Sequence, residues 1–172
     1  MFEQIKSISS WVFLFIIILF LHCDKGLSPE NVEPPFTGIR GTVYFINWPA
    51  PNNPPPDTVF DVRLILFPDF PPADFADEIL SGRAVLYPTL NDEKLPIPLD
   101  SLDYQIPLQP GRYEYFAVAR QYGDNLFADW HVVGHYDTTF SDTLPTPIQI
   151  NQGQLLDSIN ILANFDSVLF EL

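Results

Sequence analysis

Apolar and polar positions alternate with a period of two along much of the chain, the signature of strands that present one face to a core. Over residues 37–48, Ile39, Val43 and Phe45 fall on one face, and Arg40, Thr42, Tyr44 and Ile46 on the other. Over 57–67 the alternation is stronger: Phe60, Val62, Leu64 and Leu66 face one way, Asp61, Arg63, Ile65 and Phe67 the other. The first of these two sets is expected in the core. Between Asp69 and Leu80 the period changes, with Phe75 and Ile79 four apart as on a short helix that Gly82 would stop. Short strands are expected at 83–87 and 102–107, on either side of an acidic turn at 91–93. After the Pro110-Gly111 turn, Tyr113, Tyr115, Ala117 and Ala119 alternate with Phe116 and Val118. Both faces are largely apolar, so this strand should be central. Residues 126–136, 146–150 and 155–165 complete the set, the last with Ile159, Ile161, Ala163 and Phe165 alternating with polar neighbours.

The 18 prolines support this division. A proline has no amide to donate to a ladder, and none occurs within 37–48, 57–67, 111–144 or 148–172. Pro49 to Pro56 reads as a stiff connection between strands. The expected fold is all-β: a single antiparallel sandwich of seven or eight strands, with one short helical insertion, over 37–172.

The N-terminal region has a different pattern. Trp11 to Leu21 is an unbroken apolar run of 11 residues. As a helix it would reach roughly 16 Å, against a hydrocarbon core of about 30 Å. With Lys6 before it, this is the layout of a secretory signal peptide at 1–22. Cys23 follows directly and is the only cysteine in the chain, so it has no internal disulfide partner. Leu19-Phe20-Leu21-His22-Cys23 resembles the lipobox of bacterial lipoproteins. The resemblance implies lipidation of Cys23 and a membrane anchor, because several buried acyl chains hold a protein stably. Cleavage without lipidation and an uncleaved anchor are the alternatives. Residues 23–36 would then be the lipidated cysteine and a flexible, proline-rich tether.

The net charge of −14 narrows the partners. Nucleic acid is excluded as an expected partner, because the few Lys and Arg residues are scattered rather than clustered. An acidic body is also repelled by anionic lipid, so the membrane would be reached through the anchor.

A family resemblance adds to this picture. Gly38-Ile39-Arg40-Gly41-Thr42-Val43, the strand Phe60 to Leu66, the run Leu108-Gln109-Pro110-Gly111-Arg112-Tyr113 continuing to Ala119, and Ile148 to Gln154 leading to Ile159-Asn160-Ile161 resemble carboxypeptidase-regulatory-like domains of the transthyretin-like sandwich. The resemblance spans 37–165, and the 68–80 insertion departs from it. It implies a structural turn at Gly111, a buried Tyr113 with a bonded hydroxyl, and a non-catalytic role.

Candidate chemistry is sparse. His131 and His135, read as one face of a regular strand, stand about 13 Å apart, too far to share a metal bound at about 2 Å. His135 with Asp137, and Trp130 as a stacking surface, are the candidate ligand-binding residues. No calcium-loop motif accompanies Asp74, Asp77 and Glu78 or Asp100 and Asp103, and no Gly-x-Ser-x-Gly occurs. No metal, cofactor or catalytic residue is therefore expected. The sequence reads as a lipid-anchored cell-envelope protein whose sandwich is a non-catalytic binding or structural module, with an envelope protein or a glycan as partner. A carbohydrate-binding accessory lipoprotein is the first alternative, and an envelope hydrolase the second.

Overall fold

The computed structural model describes residues 35–51, 53, 57–139 and 144–172. The expected signal peptide, Cys23 and the expected tether up to residue 34 lie outside the described residues. Eleven strands and one short helix occur among those described: β1 (Gly38–Ile46), β2 (Asp61–Phe67), α1 (Phe75–Leu80), β3 (Val85–Tyr87), β4 (Ser101–Pro107), β5 (Gly111–Tyr113), β6 (Tyr115–Gln121), β7 (Trp130–His135), β8 (Ile148–Ile150), β9 (Leu155–Leu156), β10 (Ile161–Asn164) and β11 (Phe170–Glu171). One sheet has the order β10-β1-β4, with β9 also on β1; a second runs β11-β7-β6-β2-β3; β5 and β8 form a separate ribbon. The fold is the expected all-β sandwich, with more and shorter strands than the sequence pattern delimits.

Its central core lies between the two sheets. The first sheet contributes Ile39, Val43, Phe45, Tyr104, Ile106, Ile161 and Ala163, and the second contributes Val62, Leu64, Leu66, Phe116, Val118 and Val133. The inward set expected for β1 is buried, while Tyr44 and Ile46 are exposed on its outer face. Phe60 departs from expectation. It is 43% exposed, because the strand begins only at Asp61.

β2 is buried along its whole length, on both faces. The second face belongs to another core, made of Ile65, Phe67, Phe75, Ala84, Tyr115, Ala117, Ala119, Trp130 and Val132. The insertion after β2 builds the cover for it. Asp74 caps α1 by accepting from the Asp77 amide at 2.9 Å, and Gly82, at φ 72°, takes the left-handed conformation just past the helix end. The helix then lays Phe75 against Phe67 and Trp130, with ring centroids 6.4 and 5.8 Å apart.

Two expected strands are each divided. The 111–120 strand breaks at Glu114: Gly111–Tyr113 pairs with β8, whereas Tyr115 onward enters the second sheet between β2 and β7. The break sends Tyr113 into the central core and Tyr115 into the second one, where an unbroken strand would have put both on one face. Tyr113 is buried and its hydroxyl donates to the Gln109 carbonyl at 3.2 Å.

The 155–165 strand divides at Ser158, whose φ is 61°, into β9 and β10. Both run parallel to β1, an orientation the alternation pattern does not encode. Gly41 lets the intervening link lie against β1: a Cβ there would stand 2.0 Å from the Ile159 carbonyl oxygen. Ile159 donates its amide to the Arg40 carbonyl, and Thr42 donates its amide to Asn160 Oδ1 at 2.9 Å.

Candidate functional site

At the end of β1 the chain turns through Asn47, held at φ 59°, a conformation that asparagine tolerates better than most residues. Trp48 is thereby folded back over the edge of the central core. Its Nε1 donates to the Leu99 carbonyl at 2.7 Å, and its ring stacks on Phe165 with centroids 4.0 Å apart. Phe45 lies 5.6 Å away, so three aromatic rings hold one another in place. Beside this cluster is a cleft of about 490 Å³ lined by Trp48, Pro49, Ala50, Pro51, Val59, Ile97 and Pro98. That volume is within the usual range for small-ligand sites.

The chemistry of this cleft follows from its lining. Among the described residues no lining side chain titrates, and the one polar side-chain atom, the indole nitrogen, is already bonded to Leu99. What it offers a ligand is rigid apolar and π surface, suited to stacking and shape selection. The prolines contribute stiffness as well as contact, since their φ angles are fixed before any ligand arrives.

Two other clefts are internally satisfied. One of about 340 Å³ contains Arg40, Thr42, Asp103 and Asp157, but Arg40 pairs with Asp157 at 2.5 Å and Thr42 Oγ1 donates to Asp103 at 2.7 Å. The other, of about 630 Å³, is lined partly by Asp69 and Glu114, which pair with Arg83 and Arg112.

The residues singled out from sequence do not converge on one site. Trp130 has no exposed surface, packs against Phe75 and donates its Nε1 to the Leu126 carbonyl at 2.7 Å. Its expected role as a stacking surface is therefore corrected: the helical insertion covers the ring. His135 sits edge-on to Tyr115 at 5.9 Å, and its burial holds the imidazole pKa below the ordinary value, with Asp137 opposing. Asp137 Oδ1 accepts from the Thr139 amide at 2.8 Å, from Thr139 Oγ1 at 2.9 Å and from Thr146 Oγ1 at 3.1 Å. It knits a loop together. Cys23 lies outside the described residues.

His131 and His135 also lie on opposite faces of the second sheet rather than on one. The pairing of β6 with β7 slips between Val118 and Ala119, so Val132 partners Ala119 and Gly134 partners Val118, leaving Val133 as the extra residue of a bulge. His135 then shares a face with Ala117 in the second core, while His131 partners Arg120 on the face of the central core. Among the described residues no group of three or more His, Cys, Asp or Glu is placed to hold a metal ion.

That same row carries unusual electrostatics. His131 stacks on Tyr122 at 4.1 Å, and its pKa is lowered by burial and then by Arg120, against an opposing effect of Glu171. The Arg120 guanidinium is itself pushed below its ordinary value by burial, with Asp57 opposing.

Compared with protein-family models, with characterised proteins and with solved structures, the chain matches none of them. Its function has to be argued from its own residues. The Trp48 cleft was partly legible in the sequence, as a tryptophan next to a proline run, but the stacking on Phe165 joins residues 117 positions apart.

Proposed function

We propose that the chain is a cell-envelope lipoprotein, anchored through acylated Cys23, whose sandwich is a non-catalytic binding module and whose binding surface is the Trp48 cleft. The observation that supports it most is the combination of a rigidly held indole with an apolar, non-titrating lining. Such a surface selects ligands by stacking and shape, and its described lining residues offer no acid, base or nucleophile for turnover. The resemblance to carboxypeptidase-regulatory-like domains points the same way. The anchor rests on the apolar run that precedes Cys23; among the described residues no helix is long and apolar enough to cross a membrane.

Two experiments test the two halves of this reading. Metabolic labelling with a fatty acid should mark the wild-type chain and leave Cys23→Ser unlabelled. Equal labelling of both, or none of either, would remove the anchor. For the cleft, Trp48→Ala should weaken ligand binding by about 3- to 10-fold, the loss expected of a stacking ring contributing about 0.5–1.5 kcal/mol. A glycan panel is the first set of probes, because a tryptophan beside an open cleft also suits the flat faces of sugars. That is the second reading, an accessory module for carbohydrate. Saturable glycan binding that Trp48→Ala weakens would favour it, and binding unaffected by the substitution would place the site elsewhere.

A further inference from the structure

Four buried side-chain polar atoms lack a hydrogen-bond partner among the described residues, and three of them gather at one end of the second sheet. These are Arg120 Nε, His131 Nδ1 and Thr58 Oγ1; the fourth, Glu78 Oε2, belongs to a carboxylate whose other oxygen bonds Arg83 at 2.6 Å. Val62, Arg120, His131 and Glu171 are successive cross-strand partners on β2, β6, β7 and β11. Direct partners project to the same side of a sheet, and Val62 belongs to the central core, so this row points between the two layers. Thr58 lies just before β2, next to the Asp57 whose charge acts on Arg120.

Arg120 is the decisive member. It is only 3% exposed, yet its Nε has no hydrogen-bond partner among the described residues, and Asp57 acts on its charge. A buried N–H left without an acceptor is costly, more so on a charged group, and the other buried arginine, Arg63, has a full set of partners. An anion at Arg120 would give that Nε–H the acceptor it lacks.

The geometry points to a binding site for a small carboxylate anion at Arg120, His131 and Thr58. This site is independent of the Trp48 cleft and of whatever binds there. All three groups can donate at once: the guanidinium through Nε–H, the hydroxyl through its proton, and the imidazole in its Nδ1–H tautomer. A flat, singly charged acceptor suits the straight edge of a guanidinium, which bonds carboxylates in parallel pairs. A doubly charged oxyanion is disfavoured by Asp57 and Glu171 nearby and by the net charge of −14. Access is at His131, which is only partly buried, with Tyr122 stacked over it.

The test uses the full-length protein in mild detergent, titrated with sodium acetate against sodium chloride and sodium sulfate at matched ionic strength. Nitrogen NMR of the Arg120 Nε–H and the His131 imidazole provides the readout. Saturable shifts of both signals with acetate alone are expected. Arg120→Met should weaken acetate binding by about 10- to 100-fold, and Thr58→Val by about 3- to 10-fold, the losses of a charged and a neutral hydrogen bond respectively. Acetate shifts that never saturate, that sulfate or chloride reproduces, or that persist at His131 in Arg120→Met would each overturn the site. Should Arg120→Met fail to fold, the wild-type anion comparison and Thr58→Val decide the matter: unchanged acetate affinity in Thr58→Val would then overturn it.

Discussion

Replacing Asp61 with alanine is expected to destabilise the domain by about 3–5 kcal/mol, the usual cost of removing one partner from a buried ion pair. Asp61 and Arg63 are 2% and 3% exposed, and two of the three guanidinium nitrogens of Arg63 approach Asp61 Oδ2, Nε at 2.9 Å and a terminal nitrogen at 2.8 Å. The other terminal nitrogen donates to the carbonyls of Pro88 and Thr89 at 2.7 and 2.6 Å. The pair therefore ties the start of β2 to the loop after β3. Without the carboxylate, the guanidinium keeps those carbonyls but loses its buried counter-charge, leaving the exposed Asp92 to act on it from farther away. Asp61 Oδ1 also accepts the Val62 amide at 2.8 Å, and that bond is lost too. Urea denaturation should show the midpoint falling by more than about 1 M, given slopes of about 1–3 kcal/mol/M for domains of this size. Asp61→Leu combined with Arg63→Met should recover most of the loss, because it removes both charges together. A cost below about 1 kcal/mol for Asp61→Ala would mean that the pair is solvated in solution.

Trp130→Ala is the second large effect, again about 3–5 kcal/mol, as for other large-to-small changes in a packed core. The ring has no exposed surface, is held by Phe75, and bonds the Leu126 carbonyl. Its removal would leave a cavity under α1 and strip the turn before β7 of its anchor. Trp48→Ala, at the edge of the central core and half-buried, should cost markedly less stability while weakening ligand binding. Thermal melts and binding assays on the two variants separate these roles. Preserved folding in Trp130→Ala together with lost binding would reverse the assignment and restore Trp130 as a ligand residue.

The contrast between these two tryptophans shows where sequence reading reaches its limit. Period-two alternation located nearly every strand, because burial of one face imposes that pattern on any half-buried ribbon. It also identified β6 as central, since both of its faces are apolar. It could not reveal that the 68–80 insertion returns to cover the second sheet, and for that reason Trp130 passed for a surface residue. Nor could it register the single extra residue at Val133, which turns His131 and His135 to opposite faces. Phe60 failed for a related reason: alternation continues past the point where a strand ends, and only the backbone pairing shows where pairing begins. The Arg120, His131 and Glu171 row depends on three registers between strands distant in sequence, which no local pattern contains.

The neighbours of β1 have a bearing on how the molecule is made. Val43 meets Ile161 and Phe45 meets Ala163, contacts that bridge 118 positions, so β1 waits for β10 before its own layer can close. Topologies dominated by such distant pairings assemble slowly. Under the proposed export through a narrow channel this delay is useful: a body that cannot finish folding until β10 arrives stays slack enough to pass.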